Sequence, residues 1–337
     1  MAGQIVPNKA AQQARSLRKR SNRLALVIAR EWRKNASSDF AQAYAESMPV
    51  IFAAFDDAQA DTAQEALAAT PQIMRGFGAE KITPEFSVDA REFVGVNGNG
   101  LDTLDTMWGA VTAGKKVIER GAPIDSALLL IEQELVSRSR TALADTQRVV
   151  SSLSAKSEFW TAQYVRVLTP PSCGRCVVLA GVESGPTPFE RHPNCDCTAA
   201  WSDRVPKGAY STADDYLASL SDDQLAHTLG SQANAQAWRD GGDVNQLVNA
   251  YRKKGDVRAA QLYDARFKYT TEGTTKRGFA SSRMIDSGYA KEFVKNGGRY
   301  TKVDRPRLMP ESIYKVCGND HDKAVDMLYK YGWILHR

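Results

Sequence analysis

The chain lacks most of what marks a membrane protein, a secreted protein or a common hydrolase. It has only four histidines and five cysteines among 337 residues. No apolar run approaches the roughly 18 residues of a membrane-spanning helix, and compact stretches such as Ala127–Ile131 suit a core helix. The opening Met-Ala-Gly-Gln-Ile-Val-Pro-Asn has no charged segment leading into an apolar one, so no secretory signal is expected. The expected setting is a reducing cytoplasm, where grouped cysteines serve metals more readily than disulfides.

Several catalytic motifs are also missing. Ser184, in Gly181-Val-Glu-Ser-Gly185, misses the Gly-x-Ser-x-Gly elbow by one position. Gly98 and Gly100 follow no strand and lack the third glycine of a dinucleotide fingerprint, so Asn97–Gly100 reads as a turn. Gly273 and Gly278 have Walker spacing but are followed by Phe279-Ala280, where phosphate binding needs Lys and then Ser or Thr. The zinc-deaminase pattern is absent. His227 and His321 stand alone on expected helices and read as surface or capping residues, and Cys317 as a small buried apolar group.

What is present is an ordinary globular composition, 43% hydrophobic and 25% charged, in a chain long enough for two or three domains. The net charge is only +5, but it is unevenly placed. Residues 15–34 hold eight Arg or Lys against one Glu, residues 36–110 twelve acids against three bases, and residues 251–307 fifteen bases against six acids. Such a layout suits different partners along the chain, nucleic acid included; segregated solvated faces are the plainer alternative.

Leu17, Leu24, Val27, Ile28 and Trp32 give residues 15–34 an apolar stripe opposite a basic face, either a DNA-facing arm or a surface helix packed on its own domain. Ser38-Asp39 caps a second helix holding Phe40, Tyr44 and Met48, which should stop before Pro49. Residues 50–69 are helix-prone, and Pro71, Gly76, Gly78 and Pro84 should break the stretch beyond them. Leu101, Leu104, Trp108 and Val111 restart helical periodicity. Asp125 should cap the longest helix, running to about Ser152 with Leu128, Ile131, Leu135, Ala142 and Val149 on one stripe.

Tyr164–Leu168 reads as a short strand, and Val177–Gly181 as a second, forming a β-hairpin. Farther on, Ser221, Asp243, Pro310 and Asp320 mark the starts of short helices. Residues 268–307, rich in Gly, Ser, Thr and Lys, look like a loop or a segment ordered by a partner. The expected architecture is predominantly helical α+β: a helical domain over 1–150, a small α+β core with a Cys/His-stapled hairpin over 151–205, and a basic, partly loop-rich helical extension over 206–337.

Four of the five cysteines fall between residues 173 and 197, as Cys173-Gly-Arg-Cys176, fifteen residues, then His192-Pro-Asn-Cys195-Asp-Cys197. Cys173 and Cys176 have the spacing of a zinc knuckle; Cys195 and Cys197 are tighter but still able to reach one ion. His192 is a fifth candidate for four tetrahedral places and the first to drop, since four thiolates satisfy zinc. Arg175 and Arg191 are near in sequence and could offset thiolate charge. The competing reading is a set of reduced or disulfide-linked cysteines stapling the hairpin. No nearby acid has the spacing of a general base, which favours structural over catalytic zinc.

These residues, with Leu179-Ala-Gly181 and Phe189-Glu-Arg-His192-Pro193, resemble the core of the phage Mu F-like family, minor capsid or head-morphogenesis proteins of tailed bacteriophages encoded beside the portal protein. Asp196 stands where many members have Arg. Val248-Asn-Ala250, Thr270–Gly278 and Arg307–Tyr314 look like the C-terminal half of relatives from phages of actinobacteria, so the resemblance covers roughly residues 150–337. It implies a non-enzymatic, low-copy protein in the virion, inside the capsid near the portal vertex, which assembles in the host cytoplasm. Its partners would be the portal protein, the major capsid or scaffolding protein, and packaged DNA. Arg252, Lys253, Lys254, Lys276, Arg277 and Arg283 are the candidate phosphate contacts. The alternative is a capsid maturation protease, or one fused to a Mu F-like domain.

Overall fold

A computed structural model describes residues 8–336 apart from 81–82, 99, 186–188, 196, 206–211, 252–254, 263–264, 276–277 and 295–300. The chain divides into two units, one of residues 2–170 with 180–212, the other of 171–179 with 213–337. The helical N-terminal stretch and the strands after Trp160 therefore share one unit. Predominantly helical α+β is the observed class, and among the described residues no helix is long and apolar enough to cross a membrane.

In the first unit, α1 (Asn8–Asn35), α2 (Phe40–Gly76) and α4 (Ile124–Glu158) pack together, with α3 (Thr103–Ile118) against α4. Leu17, Leu24, Ile28 and Trp32 of α1 meet Ile51 and Phe55 of α2 and Ile131 and Leu135 of α4. The indole of Trp32 also donates to the carbonyl of Leu128 at 3.0 Å. Most of the basic face of α1 is engaged within the unit. Arg20 pairs with Glu65 at 2.7 Å, Arg33 with Glu132 at 2.6 Å, and Arg30 and Lys34 with Glu31 at 2.9 and 3.6 Å. Arg18 donates to the carbonyl of Thr169 at 2.7 Å, while Arg15, Lys19 and Arg23 face solvent.

Two helix boundaries and one buried face differ from the sequence reading. Asp39 does cap α2, accepting from the amides of Ala41 and Gln42, but the helix runs through Pro49 and Pro71 to Gly76. An interior proline costs about 3 kcal/mol, whereas burial of Met48, Ile51 and Phe55 around Pro49 stabilises by ~1.5–3 kcal/mol per side chain. Packing wins. This makes α2, at 37 residues, longer than α4 at 35. Helix α4 begins after Pro123, with Asp125 in its first turn rather than at its cap. In α3 the buried face is Met107, Ala110, Val111 and Gly114, leaving Leu104 and Trp108 outward.

Strand β1 (Gln163–Val167) lies between β2 (Glu183–Ser184) and β3 (Thr198–Ser202), antiparallel to both. The β1–β3 register pairs Tyr164 with Trp201 and Val167 with Thr198. The inner side chains of this sheet pack on α1 and α2 through Ala14, Ile73 and Phe77 and on α4 through Ala155. Residues 177–181 form no strand. The amides of Cys176 and Val177 both return to the carbonyl of Cys173, closing the short helix α5 (Gly174–Val177), and the chain turns at Gly181 with φ 72°. The valines' strand preference yields to that local hydrogen-bonded turn.

The second unit adds α6 (Ala213–Ala218), α7 (Asp222–Leu229), α8 (Gln232–Arg239), α9 (Val244–Asn249), β4 (Val257–Leu262), β5 (Ala265–Thr270), α10 (Phe279–Asp286), β6 (Glu292–Val294), β7 (Thr301–Val303), β8 (Arg307–Leu308), α11 (Pro310–Cys317) and α12 (His321–Lys330). The starts at Ser221, Asp243, Pro310 and Asp320 fall where the sequence puts them, and Ser221 and Gln224 form a capping box. Residues 268–307 are not the expected loop: β5 and β8 share a sheet with β4, and β6 pairs with β7. Gly278 approaches Gly273 so closely that a Cβ there would meet the Gly273 carbonyl oxygen at 1.9 Å, so the apparent Walker spacing is a tight loop closure.

Arg307 is fully buried. It donates to the carbonyls of Tyr331 and Gly332 at 2.8 and 2.6 Å and stacks 3.5 Å over the Trp333 ring, fastening the chain just beyond α12. Burial pulls its guanidinium down to about 9, still charged at neutral pH. Replacing Arg307 by Met leaves two buried carbonyls without donors and should destabilise the fold by about 2–4 kcal/mol in urea unfolding. Arg307→Lys should recover only part of this, because an ammonium lacks the planar fork and stack.

Candidate metal centre

Antiparallel pairing of β1 and β3 sets the segment leaving Val167 beside the segment that precedes Thr198. That segment is the Cys195–Cys197 loop. Its sharp turn has Asn194 at φ 61°, a left-handed conformation that Asn tolerates better than most residues. The amide of Cys195 closes the turn on the carbonyl of His192 at 3.1 Å, and the amide of Asn194 is held by the Thr141 hydroxyl at 3.1 Å.

None of the five cysteines forms a disulfide. Within 173–197 the side-chain donors form two overlapping groups that could hold a metal, Cys173–Cys176–His192 and Cys176–Cys195–Cys197. In each group the ligand atoms lie within 4.8 Å of one another, and Cys176 belongs to both. Each group is a donor set that fits zinc. Cys176, Cys195 and Cys197 are buried, Cys173 is exposed and His192 half-buried. The Nδ1 atom of His192 lies 2.7 Å from the carbonyl of Pro193, leaving Nε2 as its second ring nitrogen.

The groups that hold the cysteine loop give no signal in the sequence. Arg148, on α4 and 5% exposed, donates to the carbonyl of Cys195 at 2.6 Å and to that of Cys197 at 2.8 and 3.1 Å. It also pairs with Asp145 at 3.0 Å and lies 4.7 Å over the Phe189 ring, and Asp145 in turn pairs with Arg191 at 2.7 Å. Burial nevertheless raises the Asp145 carboxyl above the ordinary range, against the pull of Arg148 and Arg191. Arg166, on β1, lies 3.8 Å from the sulfur of Cys195 and stacks 3.9 Å over the Phe189 ring, which packs on Tyr164. The positive charge near the thiols therefore includes Arg166, while Arg191, one of the two sequence candidates with Arg175, pairs with Asp145.

A second chain of contacts positions Asp145 itself. Buried Gln59 accepts from the amide of Gly95 at 2.8 Å and donates to the carbonyl of Val96 and the hydroxyl of Thr146 at 2.8 and 2.9 Å. The loop so fixed brings Gly98 against Asp145, where a Cβ would meet that of Asp145 at 2.7 Å. The Asn-Gly turn legible in the sequence is a close backbone approach as well.

Of the candidate phosphate contacts, Arg252, Lys253, Lys254, Lys276 and Arg277 lie outside the described residues, as does Asp196. Arg283, on α10, donates to the carbonyl of Leu335 at 2.9 Å and stacks 4.0 Å over Tyr329. His321 sits 3.1 Å from Asp240, whose other oxygen accepts from Tyr314 at 2.6 Å. Cys317 is buried with its sulfur 3.4 Å from that of Met327.

Replacing Arg148 by Met should cost about 3–5 kcal/mol, because it removes three bonds to buried carbonyls and half the neutralisation of Asp145. Amide exchange should rise first in residues 189–199. Uniform acceleration across the unit would contradict a local role for Arg148. No family model matches the chain, and no curated protein and no solved structure matches it.

Proposed function

We propose that the chain is a structural protein whose cysteine cluster holds one zinc ion as a folding clamp. The observation that carries this reading is the pair of three-donor groups of soft or borderline ligands that share Cys176. Cys173, Cys176, Cys195 and Cys197 would supply the four thiolates, with His192 beside them. Bound there, zinc would supply cross-linking free energy rather than chemistry. The nearby charged groups act on structure: Arg148 holds backbone carbonyls, and Asp145 is shared between Arg148 and Arg191. Arg166 offsets the negative charge that thiolate ligands carry.

The cellular role we propose comes from the resemblance of the motif Cys-x2-Cys…His-Pro-x-Cys-x-Cys to Mu F-like proteins. It is that of a minor capsid or head-morphogenesis protein of a tailed phage, associated with the portal vertex and assisting procapsid assembly and genome packaging or delivery. The portal protein is the primary partner; the major capsid or scaffolding protein and packaged DNA are further ones. Coexpression with the portal and major capsid proteins of the same genome should give a complex that copurifies with the portal. Cleavage of the capsid protein that disappears on replacing a single Ser or His would instead make the chain a maturation protease.

Elemental analysis of protein purified under reducing, metal-replete conditions should find about one zinc per chain. Cys176→Ser should lose most of it and loosen residues 160–200, whereas Cys317→Ser should keep it. Metal-free protein with an unchanged fold would end the zinc reading.

A further inference from the structure

A cavity of about 440 Å³ opens beside the C-terminal half of α4, wholly within the first unit. Three cations line it, Arg148, Lys156 and Arg191, against one carboxylate, Asp145. Asp145 is already shared between Arg148 and Arg191. Lys156, half-buried on α4, has no ionic or hydrogen-bonding partner among the described residues. The cavity therefore holds two positive charges in excess, one of them on a group without a partner. Such an excess in a concave, partly desolvated site is stabilised by an oxyanion, since hydrogen bonds between ionised groups are the stronger kind.

Apart from Ser152, the rest of the wall is largely apolar. Val149 and Leu153 project from α4, and Ala199 and Trp201 from β3. The volume falls in the range of small-molecule sites, roughly 300–1,000 Å³, and such sites combine apolar walls with a few convergent polar groups. A second cavity of about 290 Å³ also includes Gly98, Asp145 and Arg191 in its lining, so the charged rim serves both. Inorganic anions alone would leave the apolar wall unused.

We propose that this cavity binds a small organic oxyanion, a phosphate monoester or a carboxylate carried on an apolar body, with Lys156 and Arg191 at the charged group and Val149 and Leu153 against the body. None of the zinc ligands lines the cavity, although Arg148 in its wall also holds the carbonyls of Cys195 and Cys197.

The test uses the full chain labelled with ¹⁵N at its indoles, titrated with phenyl phosphate, benzoate and inorganic phosphate. The Trp201 resonance, assigned by its loss in Trp201→Phe, reports on the cavity wall. Phenyl phosphate, benzoate or both should give a saturating shift with Kd below about 1 mM, and which of the two binds identifies the oxyanion. Inorganic phosphate should bind at least ~10-fold more weakly, corresponding to about 1.4 kcal/mol from the apolar wall. Lys156→Met should weaken binding ~10-fold or more, Lys156→Arg should retain it, and the exposed control Lys116→Met should leave it unchanged. The proposal is overturned by the absence of a saturating shift with either organic anion up to ~10 mM. Equal affinity in Lys156→Met, inorganic phosphate binding as tightly as phenyl phosphate, or displacement of phenyl phosphate by a single-stranded oligonucleotide would overturn it as well.

Discussion

Arg148 sets the conditions for the rest of the site. A guanidinium buried to 5% exposure incurs several kcal/mol of desolvation unless its donors are used. Here they are used on one carboxylate and on the carbonyls of Cys195 and Cys197. Those two carbonyls belong to a loop turned through a left-handed Asn194, so the same bonds that satisfy the cation also hold the cysteines in place. Removing the loop would leave the charge stranded, and removing the charge would leave the loop without donors. Helix α4 continues past Ser152 because Ala155, near its end, packs against Ala199 and Trp201 of β3.

The thiol cluster and the neighbouring cavity share this scaffold but differ in chemistry. One is a convergence of soft donors around Cys176, suited to a metal that staples backbone. The other is an open, basic, partly apolar hollow suited to a small anion. Arg148 touches both, through its carbonyl bonds on one side and the cavity wall on the other. The basic N-terminal helix plays a quieter part than its composition suggests. Five of the eight basic residues in 15–34 are engaged within the same unit, and two of them, Arg20 and Arg33, tie α1 to α2 and α4.

Much of the fold is legible because it rests on local signals. The apolar stripe of α1, the Asp39 cap and the starts at Ser221, Asp243, Pro310 and Asp320 all come from periodicity and capping chemistry. The grouping of the Cys and His side chains is legible too, since their spacing in sequence already draws them together. The failures depend on distant contacts. Pro49 reads as a stop because its cost is local while the packing that outweighs it is not. Val177–Gly181 reads as a strand because the Cys173 turn is invisible to β propensity. Arg148, Asp145 and Gln59 leave no trace: a polar residue inside a helix looks solvent-facing until its buried partners, Cys195, Arg191 and Gly95, are known. Residues 268–307 mislead through composition, since glycines that close a tight loop resemble glycines that leave one open.

Cys176 and its neighbours, on the function proposed here, form one tetrahedral, thiolate-rich zinc site. X-ray absorption at the zinc edge of the purified chain measures that shell directly. Four sulfurs at ~2.3 Å, or three with one imidazole nitrogen at ~2.0–2.1 Å if His192 replaces Cys173, are what the geometry predicts. A shell made of oxygen and nitrogen alone, or one that is unchanged in Cys176→Ser, would contradict it.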